Sequence, residues 1–86
     1  MPLDVTLLTK PNCMQCSMTT RQLDAANIDY LTLDITQNAN ALEWALDHDF
    51  RAAPIVVVGD MSSDDFDAWS GFRPDKISNL LARFSQ

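Results

Sequence analysis

The stretch Val5-Thr6-Leu7-Leu8-Thr9-Lys10-Pro11-Asn12-Cys13-Met14-Gln15-Cys16 decides how the rest of this chain is read. Val5 to Leu8 is a short apolar run containing β-branched residues, and Lys10-Pro11-Asn12 breaks it, which is the pattern of a buried strand feeding a loop. From Met14 to Asn27 the period changes: Cys16, Thr20, Leu23 and Ala26 mark one helical face, and Asn12 or a neighbour is placed to cap the start. Both cysteines therefore fall in the opening turn of a helix that follows directly on a strand.

Outward from this segment, Ile28 to Ile35 carries Tyr30, Leu31, Leu33 and Ile35 and reads as a second strand, reached through a helical crossover. Asn38 to Asp49 reads as a helix with Leu42, Ala45 and Leu46 on one face, Trp44 beside it, Asn38 or Asn40 as cap, and His48 and Asp49 near its end. Pro54 to Val58 is the most strand-like segment, and Gly59-Asp60 stops it. An acidic stretch from Asp60 to Asp67 follows, and Phe66 to Trp69 supplies the second arm of a hairpin. Gly71 turns the chain ahead of Pro74, a residue suited to the first position of a helix whose Ile77, Leu80, Leu81 and Phe84 recur at helical spacing. The order β-α-β-α-β-β-α predicts one α/β domain over residues 1–86, a small mixed four-stranded sheet flanked by three helices. That is the minimal thioredoxin arrangement.

A chain of 86 residues has room for one core, and 47% hydrophobic with 21% charged residues is ordinary globular composition. A net charge of -6, with six scattered basic residues, argues against nucleic acid as a partner, because phosphate binding is built from clustered Lys and Arg. No apolar run approaches the roughly 20 residues of a membrane span, and the first ten residues read as a strand and not as a signal peptide, so a cytoplasmic location is expected. An acidic surface selects among protein partners chiefly through encounter rate. Two cysteines are too few for a secreted disulfide scaffold, and a spacing of two residues points to redox or metal chemistry.

A thiolate attacks disulfides, and a helix N-terminus stabilises it with its positive dipole end and unpaired N–H groups. Cys13 stands there and is the expected nucleophile. Three residues on, Cys16 lies on the same side of the helix and is placed to resolve a mixed disulfide formed at Cys13. Two other uses stay open for the pair: half of a zinc or iron–sulfur site, or inert buried thiols. Structural zinc wants four ligands, and beyond the pair the chain offers His48, so no metal site is assigned and no bound cofactor is expected besides the redox-active disulfide itself. Pro54 follows Ala53 and opens a strand, where a residue without N–H is tolerated. A cis bond at that place would shape the backbone to receive an extended substrate, though only about 5–6% of X–Pro bonds are cis.

Three motifs together, Lys10-Pro11-Asn12-Cys13-Met14-Gln15-Cys16, Ala53-Pro54-Ile55-Val56-Val57 and Trp69-Ser70-Gly71-Phe72-Arg73-Pro74, resemble the NrdH-redoxins from about Val5 to Phe84. The first and last are specific, since Cys-[Met/Val]-Gln-Cys and Trp-Ser-Gly-Phe-Arg-Pro distinguish that family from ordinary glutaredoxins. The resemblance implies a glutaredoxin-like fold, reduction by thioredoxin reductase at the expense of NADPH, and class Ib ribonucleotide reductase as the client; the carrier is expected to be a monomer. It implies a cis Ala53–Pro54 bond whose backbone pairs with the substrate chain, and it places Trp69, Ser70, Phe72 and Arg73 beside the active site as partner-binding residues. Core packing is an equally ready use for Trp69 and Phe72, and solvation for Arg73. Lys10, Pro11, Met14 and Gln15 surround the cysteines: Lys10 favours the thiolate or stands in solvent, and Met14-Gln15 tunes a potential expected between about -200 and -270 mV. Glutathione-dependent glutaredoxins carry a Gly-Gly and an acidic residue after the third strand, whereas here Gly59 is followed by Asp60-Met61. That difference makes glutathione the alternative reductant. Asp60 to Asp67 is longer and more acidic than the corresponding turn of the NrdH-redoxins.

Overall fold

The computed structural model describes residues 4–84, apart from the side chains of Leu81, Arg83 and Phe84. The apolar run becomes strand β1 (Val5–Thr9), and the cysteine segment opens helix α1 (Met14–Ala25). Strand β2 (Leu31–Asp34), helix α2 (Ala39–Asp47), strands β3 (Ile55–Gly59) and β4 (Phe66–Ser70) and helix α3 (Pro74–Phe84) follow. The sheet order is β2-β1-β3-β4, with β1 parallel to β2 and antiparallel to β3, and β4 antiparallel to β3. The four-stranded mixed sheet and its three helices are those expected from the element order.

The central strand β3 reads as a continuous apolar run and β1 as a nearly continuous one, with Thr6 also buried, because both faces of each are covered. Val5 and Leu7 of β1 and Val56 and Val58 of β3 turn to one face, where Leu23 of α1 and Ile77 and Leu80 of α3 pack on them together with Trp69. Leu8, Ile55 and Val57 turn to the other, under Ala41 and Ala45 of α2. The cysteine-bearing end of α1 is thereby clamped above the C-terminal end of β1.

Several local expectations are corrected. On α1 the buried residues are Cys16, Thr19 and Leu23, so Thr19 and not Thr20 faces the sheet. Its hydroxyl donates to Gln15 O at 2.8 Å, which removes the cost of burying it. The helix ends at Ala25, short of Asn27, which takes a left-handed φ of 57°. The second strand is four residues, not the eight from Ile28 to Ile35: Ile28 is buried ahead of it, and Leu31 on this edge strand is 61% exposed. On α2 the buried face is Ala41 and Ala45, while Leu42 and Leu46 point outward, because small side chains let this helix lie close on the sheet. Asn38 is its cap, accepting from Ala41 N at 3.0 Å. Trp44 stacks on His48, meets the Phe66 ring at a tilt and donates its indole N–H to Met61 O at 3.0 Å, tying α2 to the 60–65 connection. On α3, Ile77 and Leu80 are buried as expected; the side chains of Leu81 and Phe84 lie outside the described residues.

Candidate active site

The turn between β1 and α1 is made by Pro11 and Asn12, and Asn12 takes a left-handed φ of 56°, which asparagine accepts more readily than most residues. The cap of α1 is Cys13 itself and not Asn12. With extended backbone (φ -116°, ψ 105°), its Sγ accepts from Cys16 N at 3.1 Å. The reactive sulfur thus occupies the place of a capping oxygen, where the first turn's N–H groups point at any negative charge it acquires.

Cys13 and Cys16 are joined in a disulfide with their Cα atoms 5.2 Å apart. The two sulfurs are not equivalent to solvent. Cys13 is half-buried at the rim, whereas Cys16 is 4% exposed beneath it. An incoming molecule reaches Cys13 first. Among the described residues no group of three or more His, Cys, Asp or Glu side chains is arranged to hold a metal ion.

Two distant segments complete one side of the site. The Ala53–Pro54 bond is cis, and Ala53 O lies 4.0 Å from Cys13 Sγ. Pro54 O in turn accepts from Gly71 N at 2.8 Å, and Phe72 N donates to the Gln15 side-chain oxygen at 3.1 Å. The three motifs of the sequence are therefore brought into one ring: cysteine turn, Ala53-Pro54, and the turn after β4. Gly71 adopts φ 83° there, a region where a side chain is strained.

Of the residues between and around the cysteines, Met14 is 79% exposed and Lys10 and Pro11 are exposed, while Gln15 carries the link to Phe72. Trp69 is 6% exposed and belongs to the core, so packing is the use the structure displays for it. Ser70 is exposed and Phe72 half-buried. Arg73 is paired with Asp75, Nη2 to Oδ2 at 3.0 Å, and does not stand alone in solvent. This bond holds the Asp75 carboxyl below the usual range. Two residues at or near the site were missed in the sequence. Asp75 could have been found from its place in the first turn of α3, beside an arginine. Arg21 lies four and seven residues beyond Ser17 and Met14, so a helical projection puts it on the rim that Lys10 also borders.

The glutaredoxin family model matches residues 5–62 of the chain. The glutaredoxin-like protein NrdH of Escherichia coli is 34% identical over 76 residues, covering 88% of this chain and 86% of that protein. NrdH of Lactococcus lactis subsp. cremoris is 37% identical over 76 residues, covering 88% and 97%. Among solved structures, NrdH-redoxin from Escherichia coli superposes with a TM-score of 0.79 at 32% identity, over 90% of this chain and 93% of that one.

Proposed function

Because the chain belongs to the glutaredoxin family, is similar to its NrdH members over most of its length and is a thiol–disulfide oxidoreductase, we propose that it carries electrons from NADPH, through thioredoxin reductase, to a protein disulfide. The observation that carries this reading is the inequivalent sulfur pair: Cys13 at the rim as the cap of α1, Cys16 buried behind it. The client is class Ib ribonucleotide reductase, met by a monomer in the cytoplasm. Supporting the choice of reductase, the solved Escherichia coli relative is described as a glutaredoxin-like protein with a thioredoxin-like activity profile. No helix among the described residues is long and apolar enough to cross a membrane.

In the forward step the Cys13 thiolate attacks one sulfur of the client disulfide, forming a mixed disulfide and expelling the other client sulfur as a thiolate, which takes up a proton. Cys16, deprotonated, then attacks Cys13 Sγ, closing the internal disulfide and releasing the second client sulfur as a thiol. Two electrons and two protons pass to the client. The reductase returns them from NADPH and one solvent proton. Ala53, fixed in place by Pro54, holds the client chain beside Cys13 through its own backbone N–H and C=O, a recurrent mode of peptide recognition.

The test is NADPH consumption with a model disulfide, comparing thioredoxin reductase against glutathione plus glutathione reductase. Turnover with the former and not the latter is the expected result. Turnover with glutathione alone would make this a glutathione-dependent glutaredoxin, and failure with both would turn attention to the cysteines as metal ligands.

A further inference from the structure

The other side of Cys13 is an open groove of about 630 Å³, bordered by Lys10 and Arg21, by the hydroxyl residues Ser17 and Thr20, and by both cysteines. No residue of 53–54 or 70–73 borders it, so it is separate from the backbone surface beside Pro54. Its volume falls within the roughly 300–1,000 Å³ of ordinary ligand clefts. Its charge is the informative feature. The chain has twelve acidic residues against six basic, yet not one Asp or Glu lines this groove. Among the described residues Lys10 and Arg21 have no ion-pair partner, a condition shared with the exposed Arg51 outside the groove, whereas Arg73 is neutralised by Asp75 and Lys76 lies 5.8 Å over the Trp69 ring.

A protein with net charge -6 repels acidic molecules at a distance, but that field is screened within about 8–10 Å at ordinary ionic strength. Inside that length, two uncompensated cations next to the reacting sulfur set the local sign. We propose that this groove docks an acidic segment flanking the cysteine of the client protein, so that the client's carboxylates meet Lys10 and Arg21 while its sulfur meets Cys13. The inference rests on the electron-carrier reading above and adds which disulfides that carrier selects. Net charge and groove make opposite demands: the first favours basic disulfides, the second acidic ones.

The experiment is single-turnover oxidation of the protein, reduced beforehand with dithiothreitol and desalted, so that no reductase takes part. Three short disulfide peptides of equal length carry Asp/Glu, Ser/Gly or Lys flanks, and Trp fluorescence follows the reaction. At low salt the acidic peptide should react about 5–10-fold faster than the neutral one, and the gap should close in about 0.5 M NaCl. The double variant K10E/R21E should invert the order. The readout is the acidic-to-neutral ratio within each protein, which cancels any uniform effect of Lys10 on the thiolate and any loss of active fraction. A wild-type ratio of one or less, or a ratio unchanged in the double variant, overturns the groove and leaves the carrier standing. No reaction with any of the three overturns the carrier reading and the groove with it.

Discussion

The two sides of Cys13 are built on different principles. On one, residues 53–54, 71–72 and Gln15 are held by backbone and carboxamide hydrogen bonds of 2.8 and 3.1 Å, with Ala53 O 4.0 Å from the sulfur and the nearby Arg73 neutralised by Asp75. On the other, α1 and its preceding turn border an open groove carrying two unpaired cations. Directional bonds over-determine the first side, so it suits the geometric demands of sulfur exchange, in which a peptide backbone must lie at a fixed distance. The second side sets the long, exposed side chains of Lys10 and Arg21 on a hydrogen-bonded turn and helix, so it suits discrimination by charge. Geometry and selection are thus assigned to separate surfaces that meet at one atom.

The largest effects come from removing that atom. Cys13→Ser should reduce multi-turnover activity to background, and Cys16→Ser should instead accumulate a mixed disulfide between Cys13 and the client. Hydrogen exchange on the trapped complex then compares the two sides directly: protection is expected both at Ala53 with 70–73 and along 14–21. Wild-type turnover in either variant would break the two-thiol scheme. Protection confined to one side would break the division of labour.

Next in size is Gly59→Ala, which acts on the bonded side from a distance. Gly59 adopts φ 121°, and a Cβ there would come within 2.7 Å of Asp65 O and 2.9 Å of Phe66 Cα. Both contacts are to backbone, which has little freedom to withdraw, so the β3–β4 pairing that delivers the chain to Gly71 must shift. A loss of about 2–4 kcal/mol in urea unfolding is expected, with slower reaction toward all peptides alike. A change in the acidic-to-neutral ratio would mean that the two sides are not independent.

Gln15→Met removes one bond of the ring while keeping the length of the side chain. Phe72 N then loses its acceptor, but Gln15 is exposed and water can replace it, so the stability change should lie near the low end of about 0.5–1.5 kcal/mol. A drop of a few-fold in kcat/KM, with the salt dependence of wild type, is the expected outcome. A changed salt slope would show that this side contributes to charge reading.

The sequence discloses these two sides unequally. The strand–turn–helix around Cys13 and Cys16 is legible because its signals are local: an apolar run, a Pro-Asn break, then a change of period. The buried strand β3 is equally plain, as four consecutive apolar residues. Edge elements are less so, since β2 is defined by its pairing with β1 and not by its own residues, and Leu31 there is mostly exposed. On α2, hydrophobicity singles out Leu42 and Leu46, yet close packing selects Ala41 and Ala45. The bonded side of the site is legible as three motifs but not as a ring, because the Gln15–Phe72 bond joins residues 57 positions apart. The charged side is hidden in a count: six scattered basic residues give no hint that Lys10 and Arg21 share one groove.

The smallest expected effect tests whether the neutrality of the bonded side matters. The hydrogen bond from Arg73, more than any other influence, depresses the Asp75 carboxyl below its usual range, and the Ser62 hydroxyl does the same for Asp60. A carboxyl depressed in the folded state contributes stability that is present above its unfolded pKa, near 4, and is lost as pH falls through the lower folded value. Tm should therefore be level from about pH 5 to pH 8 and decline below about pH 4, and the small difference between wild type and Asp75→Asn should vanish in acid. A difference that instead grew in acid would contradict the assigned sign. At neutral pH the same variant releases Arg73 as an unpaired cation beside the 70–73 turn. The 70–73 turn then carries an unneutralised charge, and the acidic-to-neutral peptide ratio should rise by about twofold or less, as an exposed pair permits. A larger rise would mean that Arg73 reaches the client directly, and that Asp75 keeps charge reading confined to the groove.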